Sequence, residues 1–167
     1  MGTPAIIEFK YFEFDKEPIA CVYRHFDGYP EELGTELRLF FQLCKILPDP
    51  RLHDPMYLSA KWIVYDSKRD HSTPPHQPKF EKTEYYDSTL NFLGVGIVTN
   101  KDAINHDYLY SVICNKPNSG TMNNWERKEA DKKEEPKVIV HNAKGECLGV
   151  LSQMVKCVKT KNTIKVA

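Results

Sequence analysis

One short stretch, residues 21–32, constrains the fold of this chain more than any other. It reads Cys-Val-Tyr-Arg-His-Phe-Asp-Gly-Tyr-Pro-Glu-Glu. The residues up to Phe26 are rich in β-branched and aromatic side chains and predict a strand, and Asp-Gly predicts a turn directly after it. Pro30 and the two glutamates behind it are typical of a first helical turn. A chain that passes this quickly from strand to helix requires a domain with both a sheet and a helix.

The remaining hydrophobic pattern predicts two helices and several more strands. Apolar residues at three- and four-residue spacing from Leu33 to Leu47 predict an amphipathic helix that starts at Pro30 and ends before Pro48. A shorter helix is predicted from Pro55 to about Ser67. Strands are predicted over 6–14, 19–26, 90–99, 107–114, 138–141 and 146–151, with the first and last pairs forming hairpins.

These elements predict a single α+β domain that spans residues 1–167. A mostly antiparallel sheet would pack one face against the two helices. Residues 116–137 stand apart, because eleven of these 22 positions carry a charge, and we expect a charged, mobile insertion there. Trp125 inside it is either tucked back onto the domain or presented to a partner.

Composition excludes several classes of function. The 23 basic and 23 acidic residues balance, which argues against a protein that binds nucleic acid by bulk charge. No apolar run approaches the roughly 18 residues that a membrane span needs.

The five cysteines contain no Cys-x-x-Cys pair and are predicted to be buried, reduced thiols. No phosphate-binding glycine loop or nucleophile elbow is found, so we expect no cofactor, no metal and no catalytic residue.

The candidate ligand-binding site lies at the end of the strand within residues 21–32. We expect Arg24 to contact an anion there, because a guanidinium group matches carboxylates and phosphates. Alternation along the strand places Tyr23 and His25 on one face and Arg24 and Phe26 on the other. The other predicted site residues are His25, Asp27 and Tyr29. A purely structural role for the turn is an open alternative, in which Gly28 adopts a positive φ.

A second alternative is a small metal-dependent hydrolase or phosphodiesterase. His25 and Asp27 would supply its catalytic groups, together with His106 and Asp107 and a divalent metal ion. This alternative requires the two His/Asp pairs to meet in space.

Residues 23–30, Tyr-Arg-His-Phe-Asp-Gly-Tyr-Pro, resemble a group of small uncharacterised proteins from bacteriophages and other mobile elements. That group shares a strand ending in His-(Trp/Phe)-Asp-Gly-Tyr-Pro, a helix with an early glycine (here Gly34), and a later Asp/Glu-Tyr-x-Tyr strand (here residues 107–110). The resemblance covers residues 19–47 and 92–114.

The resemblance implies a phage or mobile-element origin and a fold more than a mechanism, and a phage-type accessory protein in the cytoplasm of a host cell would fit that origin. Together with the lack of a complete catalytic set in the sequence, it favours a non-enzymatic binding protein over an enzyme. Such a protein would bind a host protein or a small anionic, nucleotide-like ligand, and a counter-defence role would fit that origin. Strand edges and aromatic content also admit a homodimer.

Overall fold

The fold is a sheet with helices on one face. A computed structural model describes residues 2–68, 95–114, 126, 129 and 133–154. Its described helices include α1 (Thr35–Ile46), α2 (Pro55–Lys68) and the single turn α3 (Leu151–Met154). The strands are β1 (Ala5–Lys10), β2 (Ala20–Arg24), β3 (Val95–Val98), β4 (Tyr108–Ile113), β5 (Lys137–Asn142) and β6 (Cys147–Val150).

The six strands form one sheet in the order β3-β2-β1-β4-β5-β6. Every neighbouring pair is antiparallel except β1 and β4, which run parallel. The prediction of a single α+β domain with a mostly antiparallel sheet is therefore confirmed. In the described part of the chain, no helix is long and apolar enough to cross a bilayer.

Both predicted hairpins form, and the first is shorter than predicted. Strand β1 ends at Lys10, because the next residues turn: the Asp15 amide donates to the Phe12 carbonyl oxygen at 3.2 Å, and the Asp15 carboxylate accepts from the Phe12 amide at 2.9 Å. The β5–β6 hairpin closes at Gly145, whose φ of 78° lies in the left-handed region that favours glycine.

Both predicted helices are also confirmed. Helix α2 covers the predicted range, and Leu58 and Trp62 on its predicted inner face are fully buried. The first turn of the other predicted helix, Pro30–Gly34, is π-helical and leads directly into α1. The loop predicted over 70–78, Trp125, most of the predicted insertion over 116–137 and the tail after residue 154 lie outside the described residues.

The helix-covered face of the sheet holds the larger apolar core. Cys44 and Cys114 of this core are free and buried, as predicted. Cys21, in the cluster on the other face, is also free and buried, whereas Cys147 on the edge strand β6 is free but exposed. The aromatic rings of Phe40 and Trp62 pack edge to face at 5.2 Å between α1 and α2. Other members of this core are Ile7, Phe9, Val22, Leu37, Phe41, Tyr110, Val112 and Val140.

A charged cluster lies on the opposite face of the sheet. The Glu8 carboxylate, 1% exposed, accepts hydrogen bonds from Lys10 Nζ at 2.9 Å, Ser111 Oγ at 2.6 Å and Lys101 Nζ at 2.8 Å. Burial alone would raise the pKa of Glu8, but the hydrogen bonds from Lys101, Ser111 and Lys10 outweigh it, and the pKa lies below its ordinary value. The charged form of Glu8 is therefore the form that the fold stabilises.

The lowered pKa of Glu8 predicts a loss of stability in acid. Since the pKa is lower in the folded chain, the contribution of Glu8 is fully present above the unfolded pKa of about 4.3 and is lost as the pH falls through the folded value. We expect Glu8→Gln to reduce the free energy of unfolding at pH 7 by roughly 3 kcal/mol and to weaken the acid dependence. Urea unfolding at pH 7 and pH 3 measures both effects.

Glu13→Gln is the matched control for Glu8→Gln. Glu13 bonds to Lys137 at 2.7 Å, but both side chains are exposed. Its loss should change the free energy of unfolding by no more than about 1 kcal/mol. Equal losses in the two variants would contradict the importance given to the buried cluster.

Candidate functional site

The candidate site is built where β2 leaves the sheet. Strand β2 lies between β1 and β3, and its register pairs Tyr23 with Ile6 on one side and with Gly96 on the other. Tyr23 packs on the face away from the helices, in a small apolar cluster that contains Ile6 and Leu109. The predicted alternation is therefore observed as far as Arg24, where β2 ends. The prediction that Phe26 shares a face with Arg24 is wrong, because Phe26 lies beyond the strand and its ring packs against the His25 ring.

Tyr23, His25 and Phe26 form a group of aromatic rings, which we call the ring surface. The Tyr23 hydroxyl and His25 Nδ1 are hydrogen-bonded at 3.0 Å. The His25 and Phe26 rings meet edge to face with their centroids 4.2 Å apart. His25 is exposed and Phe26 is 50% exposed, so the outer part of this group faces solvent.

The Phe26 ring is supported from the N-terminal segment. A Cβ placed on Gly2 would lie 2.6 Å from Phe26 Cδ1, so the ring packs directly on the backbone at Gly2. Only glycine permits this approach without a shift of the ring. The exposed aromatic side chain is thus held by contacts on one side while its other side remains open.

Arg24 lies on the opposite face from the ring surface and is 1% exposed. Its Nη1 donates to Glu36 Oε2 at 2.6 Å and to Asp66 Oδ1 at 2.9 Å, and its Nε donates to the Phe26 carbonyl oxygen at 2.9 Å. The prediction that Arg24 contacts an anionic ligand does not fit this position. A buried guanidinium needs paired carboxylates, and two carboxylates of the chain itself occupy it.

Asp27 and Tyr29 follow the ring surface along the chain. Asp27 is exposed and adopts a φ of 54°, which a short polar side chain tolerates better than most. No hydrogen bond joins Asp27 to His25 within the described residues. Tyr29 is half-buried, and its carbonyl oxygen accepts from the Glu32 and Leu33 amides at 3.1 and 3.0 Å. Tyr29 therefore begins the helical segment.

The second predicted His/Asp pair has its own local partners. His106 Nδ1 is hydrogen-bonded to the Ile104 carbonyl oxygen at 2.9 Å, and the Asp107 amide donates to the Pro4 carbonyl oxygen at 2.9 Å. Across the ranges that the structure describes, no group of three or more His, Cys, Asp or Glu side chains is placed to hold a metal ion. The donor set that the metal-dependent alternative needs is not assembled there.

Gly28 fixes the turn to the body of the sheet. Its amide donates to the Thr3 carbonyl oxygen at 2.8 Å, and its carbonyl oxygen accepts from the Tyr110 hydroxyl at 2.7 Å. Burial, followed by the nearby Tyr108 and Glu31, raises the pKa of Tyr110, so this hydroxyl remains a donor. The expected positive φ at Gly28 is wrong, because Asp27 takes the left-handed conformation instead.

An open cavity of about 480 Å³ lies near this turn. Thr3, which accepts the Gly28 amide hydrogen bond, is one of its lining residues. Its charged lining groups are the carboxylate of Asp107 and the ammonium of Lys144. Because the two charges are opposite in sign, the cavity does not select for an anion. The remaining lining residues are Tyr108, Asn142, Ala143 and Leu148.

The partners that decide the role of Arg24 could not be predicted from the sequence. Glu36 and Asp66 lie 12 and 42 residues away along the chain, and nothing in their local sequence marks them as partners. Phe26 was part of the recognised motif but not of the predicted site. Its neighbour His25 and the Asp-Gly turn that follows it were the signals available in the sequence.

The fit of Gly28 against the N-terminal segment predicts a stability effect. A Cβ at Gly28 would lie 2.6 Å from both the Ala5 Cβ and the Thr3 carbonyl oxygen, so Gly28→Ala should lower the free energy of unfolding by about 1–3 kcal/mol. Gly96→Ala is the matched control, since a Cβ there meets nothing within 4 Å. Thermal melts of the two variants measure this difference in stability. Equal melting temperatures would contradict the close fit of Gly28 against Thr3 and Ala5.

The positions of Arg24 and His25 on opposite faces predict unequal effects of alanine. Arg24→Ala should lower the free energy of unfolding by about 3–5 kcal/mol, because it breaks two buried ion pairs by removing the cation that they share. His25→Ala should change it by no more than about 0.5 kcal/mol, as at other exposed positions. Denaturant melts of both variants test this. A large loss in His25→Ala would show that the ring surface is part of the architecture.

Comparison of the chain with protein-family models, with curated proteins and with solved structures finds no match. The resemblance of residues 23–30 to phage and mobile-element proteins therefore stays a prediction. What the chain does must be argued from the residues of the site themselves, and above all from the exposed rings of His25 and Phe26.

Proposed function

We propose that this chain is a non-enzymatic binding protein that engages a partner protein through the ring surface of Tyr23, His25 and Phe26. The observation that carries the proposal is the position of Phe26, a half-exposed aromatic ring that packs on Gly2 and against the His25 ring. Aromatic side chains, Phe among them, are enriched in protein interfaces relative to the rest of the protein surface. They contribute a large contact area with little loss of side-chain entropy on binding.

A protein partner fits this site better than a small anionic ligand. The predicted anion contact, Arg24, is buried and paired with Glu36 and Asp66. The nearby cavity carries Asp107 as well as Lys144. The outward-facing groups of the ring surface are two aromatic rings and a hydroxyl group, which suit a mixed apolar and polar protein surface.

The metal-dependent hydrolase remains the second candidate, and the geometry favours it less. It needs His25 and Asp27 to act together with His106 and Asp107. His106 is bonded to its own loop, and Asp27 makes no hydrogen bond to His25 in the described part of the chain. A group that acts as general base must lie within hydrogen-bond reach of its proton donor, and the ring surface offers no such pair of carboxylate and imidazole.

The wider biological role is proposed from the resemblance alone. A phage-type accessory protein in the cytoplasm of a host cell would use the ring surface to bind a host protein, and interference with a host defence would fit that setting. A homodimer would leave the proposal intact provided that Phe26 stays accessible.

Replacing Phe26 by Ser tests the proposed surface. Loss of a central interface aromatic costs about 2 kcal/mol or more, which is roughly a 30-fold loss of affinity. Tagged wild-type and Phe26→Ser proteins would be crosslinked in the cells that express them, and captured proteins would be quantified by mass spectrometry. We expect at least one protein to be captured by the wild type and depleted tenfold or more with Phe26→Ser.

Phe14→Ser is the matched control. Phe14 is 80% exposed and lies on the β1–β2 connection, at the opposite end of β2 from Phe26. It should capture the same protein as the wild type. Equal capture by all three proteins, or capture of nothing by the wild type, would contradict the proposed surface.

A further inference from the structure

Arg24 contacts the ring surface from inside the domain. We infer that Arg24 is a positioning residue, which holds the backbone of Phe26 in place and links it to the start of α1 and the end of α2. The inference rests on the proposed function, because it assigns a role in presenting the ring surface. It concerns a residue that makes no contact with the partner.

The geometry of the guanidinium group makes this link rigid. Its Nε donates to the Phe26 carbonyl oxygen at 2.9 Å. Its Nη1 donates to Glu36 Oε2 at 2.6 Å and to Asp66 Oδ1 at 2.9 Å. Because the guanidinium is planar and its N–H groups point in fixed directions, the three acceptors must keep one arrangement relative to each other.

Stability alone does not account for this arrangement. Arg24 Nη2 is buried and has no hydrogen-bond partner among the described residues. Apolar residues of similar volume often replace buried ion pairs without loss of stability. An apolar side chain, however, cannot donate a hydrogen bond to the Phe26 carbonyl oxygen. That hydrogen bond joins the Arg24 side chain to the backbone of the ring surface.

The two carboxylates place the link at defined points of the helices. Glu36 lies in the first turn of α1, and Asp66 lies in the last turn of α2. Both side chains are buried, so water competes little with their bonds to Arg24. A displacement of either helix end relative to β2 is therefore transmitted to the backbone of Phe26.

Fluorine NMR of the free protein tests the inference. The protein would be labelled with 4-fluorophenylalanine, and the signals of Phe26 and Phe14 assigned by replacing each in turn with Leu. In Arg24→Lys, which keeps the charge but loses the planar fork, we expect the Phe26 signal to shift or broaden and the Phe14 signal to stay. Glu36→Gln, which keeps the shape of the side chain, should move the Phe26 signal in the same direction by less.

Lys45→Gln is the matched control on the same helix. Lys45 pairs with Glu135 at 3.1 Å on the surface of α1, and its loss should leave both fluorine signals unchanged. An unmoved Phe26 signal in Arg24→Lys and Glu36→Gln would overturn the inference. So would equal shifts of the Phe26 and Phe14 signals, because they would reveal a general loss of structure.

The outcome is independent of the proposed function, because the measurement needs no partner. If no partner depends on Phe26, the proposed function fails while the fluorine result stands. If a partner does depend on Phe26 and its signal is unmoved in Arg24→Lys and Glu36→Gln, only the inference about Arg24 fails.

Discussion

The ion triad of Arg24, Glu36 and Asp66 is the interaction on which the arrangement of this domain depends. It joins the end of β2 to both long helices inside an apolar core. Apolar contacts between helices and a sheet are non-directional and tolerate sliding. A buried charge must meet its partners in one geometry, because an unpaired charge in the core is costly. The triad therefore fixes how α1 and α2 sit on the strand that carries the ring surface.

A second group of buried charges acts on the other face of the sheet. All six residues of β1 are buried, so the apolar pattern of this strand does not by itself decide which face points toward the helices. Glu8 decides it, since its hydrogen bonds to Lys101 and Ser111 form only on the face away from the helices. A slip of one residue would move Glu8 into the apolar core. Buried charges on both faces of the sheet therefore fix the pairing register of the strands, which the hydrophobic pattern alone does not determine.

Much of the fold follows from local sequence, and much of the site does not. The helix α2, the β5–β6 hairpin and the alternation along β2 were predictable because neighbours in sequence determine them. The burial of Arg24 was not, because its two carboxylate partners come from distant positions in the chain. Gly28 illustrates the same limit. A glycine after aspartate predicts a positive φ, but here glycine is needed because Thr3 and Ala5 take the space that a Cβ would occupy. Only the folded chain brings these two residues close.

The strand end at Tyr23 to Phe26 first presented a choice between an architectural and a functional role. The two roles are compatible, since Tyr23 and Arg24 are adjacent in the strand and point to opposite faces. Arg24 points inward and organises the helices, whereas Tyr23 and His25 point outward and form a surface. A partner would contact only the outward residues, but their geometry would still depend on the inward one. A substitution inside the domain can therefore change binding without touching the interface, and stability measurements alone would not separate the two roles.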